Sequence, residues 1–151
     1  MKRNGIVPRV VLLAAIGLAL TALPSRAGDF KAYPGATLDA KASEAASAAA
    51  AAAGLSQKST VYTSADEFEK VVAFYGSTGT VIPLPASMAS GTKLPDGRVV
   101  HTAWISLDGS TSLATSKRWI AVHHPYVGTV DASGKAQDVR EVTAITLTEA
   151  K

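Results

Sequence analysis

One stretch of the sequence, residues 61–75 (VYTSADEFEKVVAFY), limits the possible folds more than any other. Its opening residues, through Thr63, are mostly β-branched or aromatic, which is typical of a β-strand. Apolar residues then follow at helical spacing: Phe68, Val71, Val72 and Tyr75. Because positions three and four apart share one face of a helix, the pattern predicts a strand, a tight turn and an amphipathic helix from Asp66 to Tyr75.

The start of that helix is predicted from a capping box at residues 64–67. In such a box the Ser64 hydroxyl accepts a hydrogen bond from the Glu67 N–H, and the Glu67 carboxylate accepts one from the Ser64 N–H. Asp66 and Glu67 also place negative charge at the positive end of the helix dipole. These acidic side chains therefore have a structural explanation, and we assign no paired-carboxylate catalysis to them.

The first 27 residues have the features of a secretory signal peptide. Lys2, Arg3 and Arg9 form a basic region at the beginning of this segment. An apolar run over residues 10–20 follows, and Ser25 and Ala27 place small side chains where signal peptidase reads them. We expect cleavage after Ala27, which leaves residues 28–151 as a single exported domain, periplasmic or secreted. The alternative is a membrane anchor, but the run is short for a bilayer span, so we expect no stable anchor after cleavage.

Composition excludes several classes of function. The whole chain has 15 Lys and Arg against 12 Asp and Glu, a net charge of +3, but four of the basic residues fall in the signal segment. The exported part is therefore close to neutral, with 11 basic against 12 acidic residues. Nucleic-acid binding needs clustered basic residues, so we expect no nucleic-acid partner. Because the chain lacks Cys, thiol catalysis, thiolate zinc sites and iron–sulfur clusters are excluded, and no cofactor is predicted.

Alanine dominates residues 39–53 (DAKASEAASAAAAAA) and predicts a second helix. Asp39 suits the N-cap and Gly54 suits the left-handed position that ends a helix. Alanine offers little apolar area, so two arrangements stay open. The helix either lies loosely on the body, or packs tightly against a sheet because its side chains are small.

The rest of the chain predicts an antiparallel sheet. Strands are expected at three places: residues 98–107, 117–124 and 138–148. The first two form a hairpin. The two prolines of residues 80–85 favour an edge position, and residues 86–97 and 126–137 are predicted as loops. The predicted fold class is α+β: a small antiparallel sheet of about four strands with the amphipathic helix packed on one face, preceded by the Ala-rich helix.

Two of these segments carry a resemblance. Tyr33-Pro34-Gly35-Ala36 precedes the strand–helix unit, in which Tyr62-Thr63-Ser64 is followed by Phe74-Tyr75. This order resembles a loosely defined class of exported bacterial proteins of unknown function, with a YPGA segment followed by a YTT-D…V-xx-FY unit and antiparallel strands. Ser64 stands where that class usually has a second Thr. The resemblance implies a fold and a compartment, and it implies no reaction.

The histidines His101, His123 and His124 are the candidate metal ligands. Neighbouring residues of a strand point to opposite faces, so only one of His123 and His124 shares a face with His101. A hairpin turn centred near Ser112 would place His123 opposite His101. Two imidazoles make an incomplete metal site, and the third ligand would have to be a residue such as Asp138 or Glu141.

The sequence contains no Gly-x-Ser-x-Gly nucleophile elbow and no Walker motif, so no catalytic residue is assigned. We therefore predict a non-enzymatic binding module that contacts an unknown protein or small molecule through its exposed sheet face or residues 83–97. Trp104 and Trp119 lie on the hairpin strands, as core residues or as an aromatic platform on that face. The alternative is a small metal-dependent or hydrolytic enzyme that uses His101 with His123 or His124.

Overall fold

The computed structural model of the protein describes residues 29–151, so the predicted signal peptide of residues 1–27 lies outside the described part. The described residues form nine strands and two helices. In chain order they are β1 (Thr37–Asp39), α1 (Ala40–Ala52), β2 (Gln57–Ser64), α2 (Phe68–Gly76), β3 (Thr80–Ile82), β4 (Thr92–Lys93), β5 (Val99–Ser106), β6 (Arg118–His124), β7 (Tyr126–Val130), β8 (Ala136–Arg140) and β9 (Thr143–Ala150). None of the helices in residues 29–151 has the length and apolar character needed to cross a membrane.

Seven strands form one antiparallel sheet in the order β1-β2-β9-β6-β5-β3, with β4 paired to the far end of β5. Strands β7 and β8 form a separate two-stranded hairpin. The predicted α+β class with an antiparallel sheet is confirmed, but the prediction of about four strands is too low. Strands of two or three residues, such as β1, β3 and β4, are too short to show an alternating pattern, so the sequence does not reveal them.

Helix α2 covers one face of the sheet, which we call the α2 face. Val71 and Tyr75 are buried there against large apolar side chains of the central strands: Ile105, Ile120, Val122, Ile145 and Leu147. Phe68 and Val72 pack at the border of this core, so the predicted apolar stripe is confirmed. Burying each aliphatic side chain of this size contributes about 1.5–3 kcal/mol, which makes this layer the main source of stability.

The predicted capping box at the start of α2 is wrong. The helix begins at Phe68, its N-cap is Glu67, and no side chain caps it. Ser64 is instead the last, buried residue of β2, and its hydroxyl accepts a hydrogen bond from the Asp66 N–H at 3.1 Å. The Tyr33 hydroxyl donates to the Asp66 carboxylate at 2.7 Å. Pairing of β2 with β9 and the packing of the N-terminal arm therefore determine this turn, and the local capping preference does not.

The predicted single strand over residues 138–148 is two strands. Val142 donates its N–H to the Arg140 carbonyl at 2.8 Å, and this tight turn separates β8 from β9. The predicted loop over residues 126–137 contains β7, which pairs with β8. The Arg140 guanidinium stacks over the Tyr126 ring and forms an ion pair with Asp39 at 2.7 Å. These contacts between distant residues hold the hairpin, which explains why the local sequence does not reveal it.

Helix α1 covers the opposite face, which we call the α1 face. The predicted helix is confirmed: Asp39 accepts a hydrogen bond from the Ala42 N–H at 2.9 Å, and Gly54 has a φ of +75° just beyond the helix end. Ala42 and Ala50 are buried. Relative to the two arrangements left open by the sequence, α1 combines parts of both: it is attached closely to β2 and buries these two alanines, but most of its other side chains stay exposed.

Two serines of α1 complete the hydrogen bonding of β2 at and beyond the end of β1. The Ser47 hydroxyl accepts from the Ser59 N–H and donates to the Ser59 carbonyl, both at 3.1 Å. The Ser43 hydroxyl accepts from the Val61 N–H at 2.8 Å. Residues four apart in a helix rise by about 6 Å, and residues two apart in a strand by about 6.6 Å, so the two repeats match. The helix thereby takes the place of a neighbouring strand.

The connection between β5 and β6 is organised by one carboxylate, Asp108. Its oxygens accept hydrogen bonds from two hydroxyls and three backbone N–H groups, contributed by Ser106, Ser110, Ser116, Lys117 and Arg118. Burial alone would raise the pKa of Asp108, but these hydrogen bonds outweigh it and hold the pKa well below the usual range. Asp108 therefore has a structural role as the anchor of this loop.

Replacing Asp108 with Asn should lower the free energy of unfolding by about 2–3 kcal/mol, because charge-assisted hydrogen bonds are lost. Since the folded pKa is depressed, the stabilisation is present above pH 3.8 and is lost as the pH falls below it. Urea denaturation at several pH values measures both effects. The exposed Asp29, changed to Asn, is the control. Equal stability of D108N and D29N at neutral pH would contradict this role.

Replacing Ser47 with Ala should lower the free energy of unfolding by about 1–2 kcal/mol, because the N–H and carbonyl of the buried Ser59 lose their partner. Alanine also favours the helix by up to about 0.5 kcal/mol, which opposes the loss. The reverse change at the exposed Ala48, A48S, measures that propensity alone. Denaturation curves of the two variants that shift by equal and opposite amounts would exclude a role for the serine hydroxyl.

Candidate functional site

The hairpin register separates the three histidines. His101 pairs directly with His124, and Thr102 pairs with His123. The predicted pairing of His101 with His123 is therefore wrong. The register is centred between Ser112 and Leu113, half a residue beyond the predicted turn at Ser112, and a slip of one residue moves a side chain to the other face.

His101 and His124 lie at one end of the α2 face. The His101 ring is 5.9 Å from the Phe68 ring, and Nδ1 of His124 is 3.3 Å from the Thr143 hydroxyl. Glu141, one of the two suggested third ligands, lies 3.9 Å from Nε2 of His124, and its side chain is 70% exposed. Asp138, the other, lies on β8 beside Arg140. Within residues 29–151, no three His, Cys, Asp or Glu side chains are grouped so as to hold a metal ion.

His123 points to the opposite face, where it forms part of the floor of a cleft. The cleft lies between α1 and β7, and we divide it into an inner and an outer chamber. The inner chamber has a volume of about 300 Å³. Its lining comprises Ala42, Ala45, Ala46, Ala49, Val61, Val100, His123, Tyr126, Val127, Gly128, Thr129, Ala144 and Thr146. The outer chamber, about 440 Å³, shares Ala42, Ala45, Tyr126, Gly128 and Thr129 with it.

Small residues leave room for the inner chamber. Alanines 42, 45, 46 and 49 fall on one face of α1 and present only methyl groups to the cleft. Gly128 lies on the opposite wall, where an added Cβ would come 3.1 Å from the Cβ of Asp138. Gly128 therefore allows β7 and β8 to lie close together at this wall. The lack of any larger side chain on the α1 stripe is what keeps the space open.

Charged side chains line only the outer chamber. They are Asp39, Lys41, Asp138 and Arg140. Arg140 lies between the two carboxylates, at 2.7 Å from Asp39 and 3.5 Å from Asp138. The hydrogen bond from the Ala42 N–H, together with that from Arg140, lowers the pKa of Asp39, and the Asp39 carboxylate in turn raises the pKa of Arg140. The charges of the outer chamber, which forms the mouth of the cleft, therefore largely neutralise one another.

His123 is the one histidine among the described residues that line the inner chamber. Its Nδ1 is 3.1 Å from the Thr102 hydroxyl. Burial lowers the pKa of His123 below its ordinary value of 6.5, so the ring is neutral at physiological pH. None of the described residues is hydrogen-bonded to its Nε2. The chamber thus combines an apolar lining with one oriented, uncharged imidazole.

No protein-family model matches this chain. Comparisons with the curated proteins and with the solved structures likewise find no match.

The two tryptophans share the α1 face but lie away from the cleft. Trp104 pairs with Ala121 and Trp119 with Ser106, and both tryptophans are half-buried. Trp104 lines a shallow groove together with Pro83, Leu84, Pro85 and Leu113 among others. The beginning of the predicted contact segment, residues 83–97, thus forms a second, more open surface.

The sequence predicted contact through an exposed sheet face or through residues 83–97, and it did not predict the cleft, which lies where α1 and β7 cover part of the face away from α2. The cleft depends on the packing of α1 against β2 and on the β7–β8 hairpin, neither of which has a strong local signal. The spacing of the alanines at 42, 45, 46 and 49 is the one available indication, because it repeats as an apolar helix stripe does, without bulk.

Because burial lowers the folded pKa of His123, the unfolded chain takes up a proton at this residue first as the pH falls. Stability should therefore decrease as the pH falls below 6.5 and through the lowered folded pKa. His123→Gln removes this part of the dependence, and His101→Gln, on the opposite face, should retain it. Urea denaturation at about pH 7 and about pH 5 measures the difference. Parallel losses in wild type and H123Q would show that His123 carries no such linkage.

Proposed function

We propose that this protein is an exported, non-enzymatic binding module that holds a small, mainly apolar molecule in the cleft between α1 and β7. The observation that carries the proposal is the inner chamber, whose lining is apolar apart from a few hydroxyls and one imidazole. Its volume lies at the lower end of the range for small-molecule sites, which are typically apolar pockets with a few placed polar groups. The predicted signal segment supports export, to the periplasm or beyond the cell.

The chemistry around His123 favours binding over catalysis. A general base that activates a nucleophile needs that nucleophile within hydrogen-bond reach, and it is usually oriented by a further polar group. The Thr102 hydroxyl lies 3.1 Å from Nδ1 of His123, so a hydroxyl is within reach, but none of the described residues forms the second hydrogen bond, to Nε2, that a base–nucleophile pair would need. The carboxylates of the cleft line only the outer chamber, where Arg140 engages them. The arrangement fixes the orientation of a ring that can hydrogen-bond to a guest.

The alternative enzyme based on His101 has less support. His101 and His124 pair on the α2 face, whereas His123 lies on the α1 face, so the sheet separates His101 from the cleft. Glu141, which lies 3.9 Å from His124, is largely exposed and is also 3.8 Å from Arg98. We therefore place the function in the cleft.

An uncharged fluorophore such as N-phenylnaphthylamine, added to residues 28–151, tests the proposal. Its fluorescence should rise to saturation at one molecule per chain. Ala46→Leu fills the inner chamber and should weaken binding by about tenfold or more, because overpacking costs about 1–3 kcal/mol. Ala48→Leu adds the same side chain to the exposed face of α1 and should leave binding unchanged.

Absence of saturable binding to the wild type would refute the proposal, and so would equal binding by A46L and A48L. Thermal unfolding of both variants shows whether they fold. In the wild type and in A48L, titration measured by amide chemical shifts maps the contact, which should fall on α1, β7 and the middle of β9.

A further inference from the structure

We infer that the bound molecule is uncharged and carries a hydroxyl or carbonyl group, which hydrogen-bonds to Nε2 of His123 while its apolar body fills the inner chamber. This inference rests on the proposed binding role of the cleft and specifies the chemical class of the ligand. It draws on the distribution of charge in the cleft, on the orientation of the imidazole, and on the position of the polar groups along the chamber.

Charge is distributed unevenly between the two chambers of the cleft. Among residues 29–151, every charged side chain of the cleft lines the outer chamber, and none lines the inner one. A charged group that entered the inner chamber would lose its hydration without meeting an opposite charge, which is costly. The mouth offers two positive and two negative side chains, with Arg140 already held by Asp39 and Asp138, so it gives no clear preference to either sign.

The imidazole of His123 is oriented by its contact with Thr102. Thr102 holds Nδ1 of His123, which leaves Nε2 for a guest. If the Thr102 hydroxyl donates to Nδ1, Nε2 carries the proton and donates to a carbonyl or hydroxyl oxygen. If Nδ1 donates to Thr102, Nε2 accepts from a hydroxyl. An alcohol fits both tautomers because its oxygen both donates and accepts.

Polar groups of the inner chamber lie on the side of the sheet. His123 pairs with Ala144 of β9, and Thr146 is the next residue of β9 on the same face. The lining groups that α1 and β5 contribute are apolar, namely the alanines of α1 and Val100, and the hydroxyl-bearing residues of β7, Tyr126 and Thr129, also line the outer chamber. The polar end of a guest therefore meets the sheet, at His123 with Thr146 beside it. Its apolar part lies against the methyl groups of α1.

Three molecules with the same chain and different head groups test the inference: octanol, octanoate and octylamine. Each is titrated into residues 28–151 near neutral pH and followed by calorimetry. Octanol should bind about tenfold or more tightly than either charged analogue, because the charged groups remain unpaired in the chamber. Octanoate or octylamine binding as tightly as octanol would overturn the inference. The fluorophore and A46L results would then still support the cleft as a binding site.

If neither the fluorophore nor any of the three molecules binds, both the inference and the proposed function fail. If the fluorophore binds in the cleft and octanol does not, the inference alone fails. The two proposals are therefore separated by the outcome.

Variants of His123 test the contact directly. His123→Leu should weaken octanol binding about fivefold through loss of one neutral hydrogen bond. His123→Gln, which retains an uncharged hydrogen-bonding group, should recover part of the loss and serves also if H123L fails to fold. His101→Leu, on the opposite face, is the matched control and should bind octanol as the wild type does.

Nitrogen-15 chemical shifts of the imidazoles supply a second readout. Octanol should move the Nε2 resonance of His123 and leave those of His101 and His124 unchanged. Movement confined to His101 or His124, or octanol binding by H123L at wild-type strength, would show that the polar group does not meet His123.

Discussion

The central strands β6 and β9 are covered by other parts of the chain on both faces, and alternate residues must therefore satisfy two different layers. On the α2 face the alternating residues are large, as Ile120 and Ile145 show. On the α1 face the residues at the cleft are small or polar, as Ala144 and Thr146 show, and the large Trp119 of β6 lies away from the cleft. The large layer forms a filled core, whereas the small layer lets α1 approach and leaves the cleft. The same alternation that stabilises one side of the sheet thus creates the binding space on the other.

Helix α1 depends on this arrangement more than most helices do. A surface of methyl groups buries little apolar area, so it cannot hold the helix by hydrophobic contact alone. The serine hydroxyls that bond to β2 supply the missing attachment and also satisfy backbone groups at the sheet edge. An open edge invites pairing with another chain, and here the helix occupies it. A helix attached by hydrogen bonds along one side can border a cavity without having to fill it.

The sequence predicts the parts of this fold that local patterns control. The stripe from Phe68 to Tyr75, the alanine helix with its Asp39 cap, and the strands of the β5–β6 hairpin all have periodicities or end signals within a few residues. What it cannot predict depends on distant contacts. Ser64 is drawn into β2 by its pairing with Thr143, and the hairpin at Tyr126 depends on Arg140 and Asp39. The predicted pairing of His101 with His123 was wrong because the centre of the hairpin lies half a residue further along the chain. The connection over residues 107–117, which Asp108 anchors, sets this register.

Asp39 joins three parts of the molecule with one carboxylate. One oxygen caps the first turn of α1, and the other binds Arg140, which also lies over Tyr126 of β7. Asp39 therefore links the two walls of the cleft, one formed by α1 and the other by the β7–β8 hairpin. Movement of the β7–β8 hairpin away from α1 would break the contact of Arg140 with Asp39, and Asp39 is also the residue that caps α1. The width of the cleft is thus coupled to the stability of the first turn of α1.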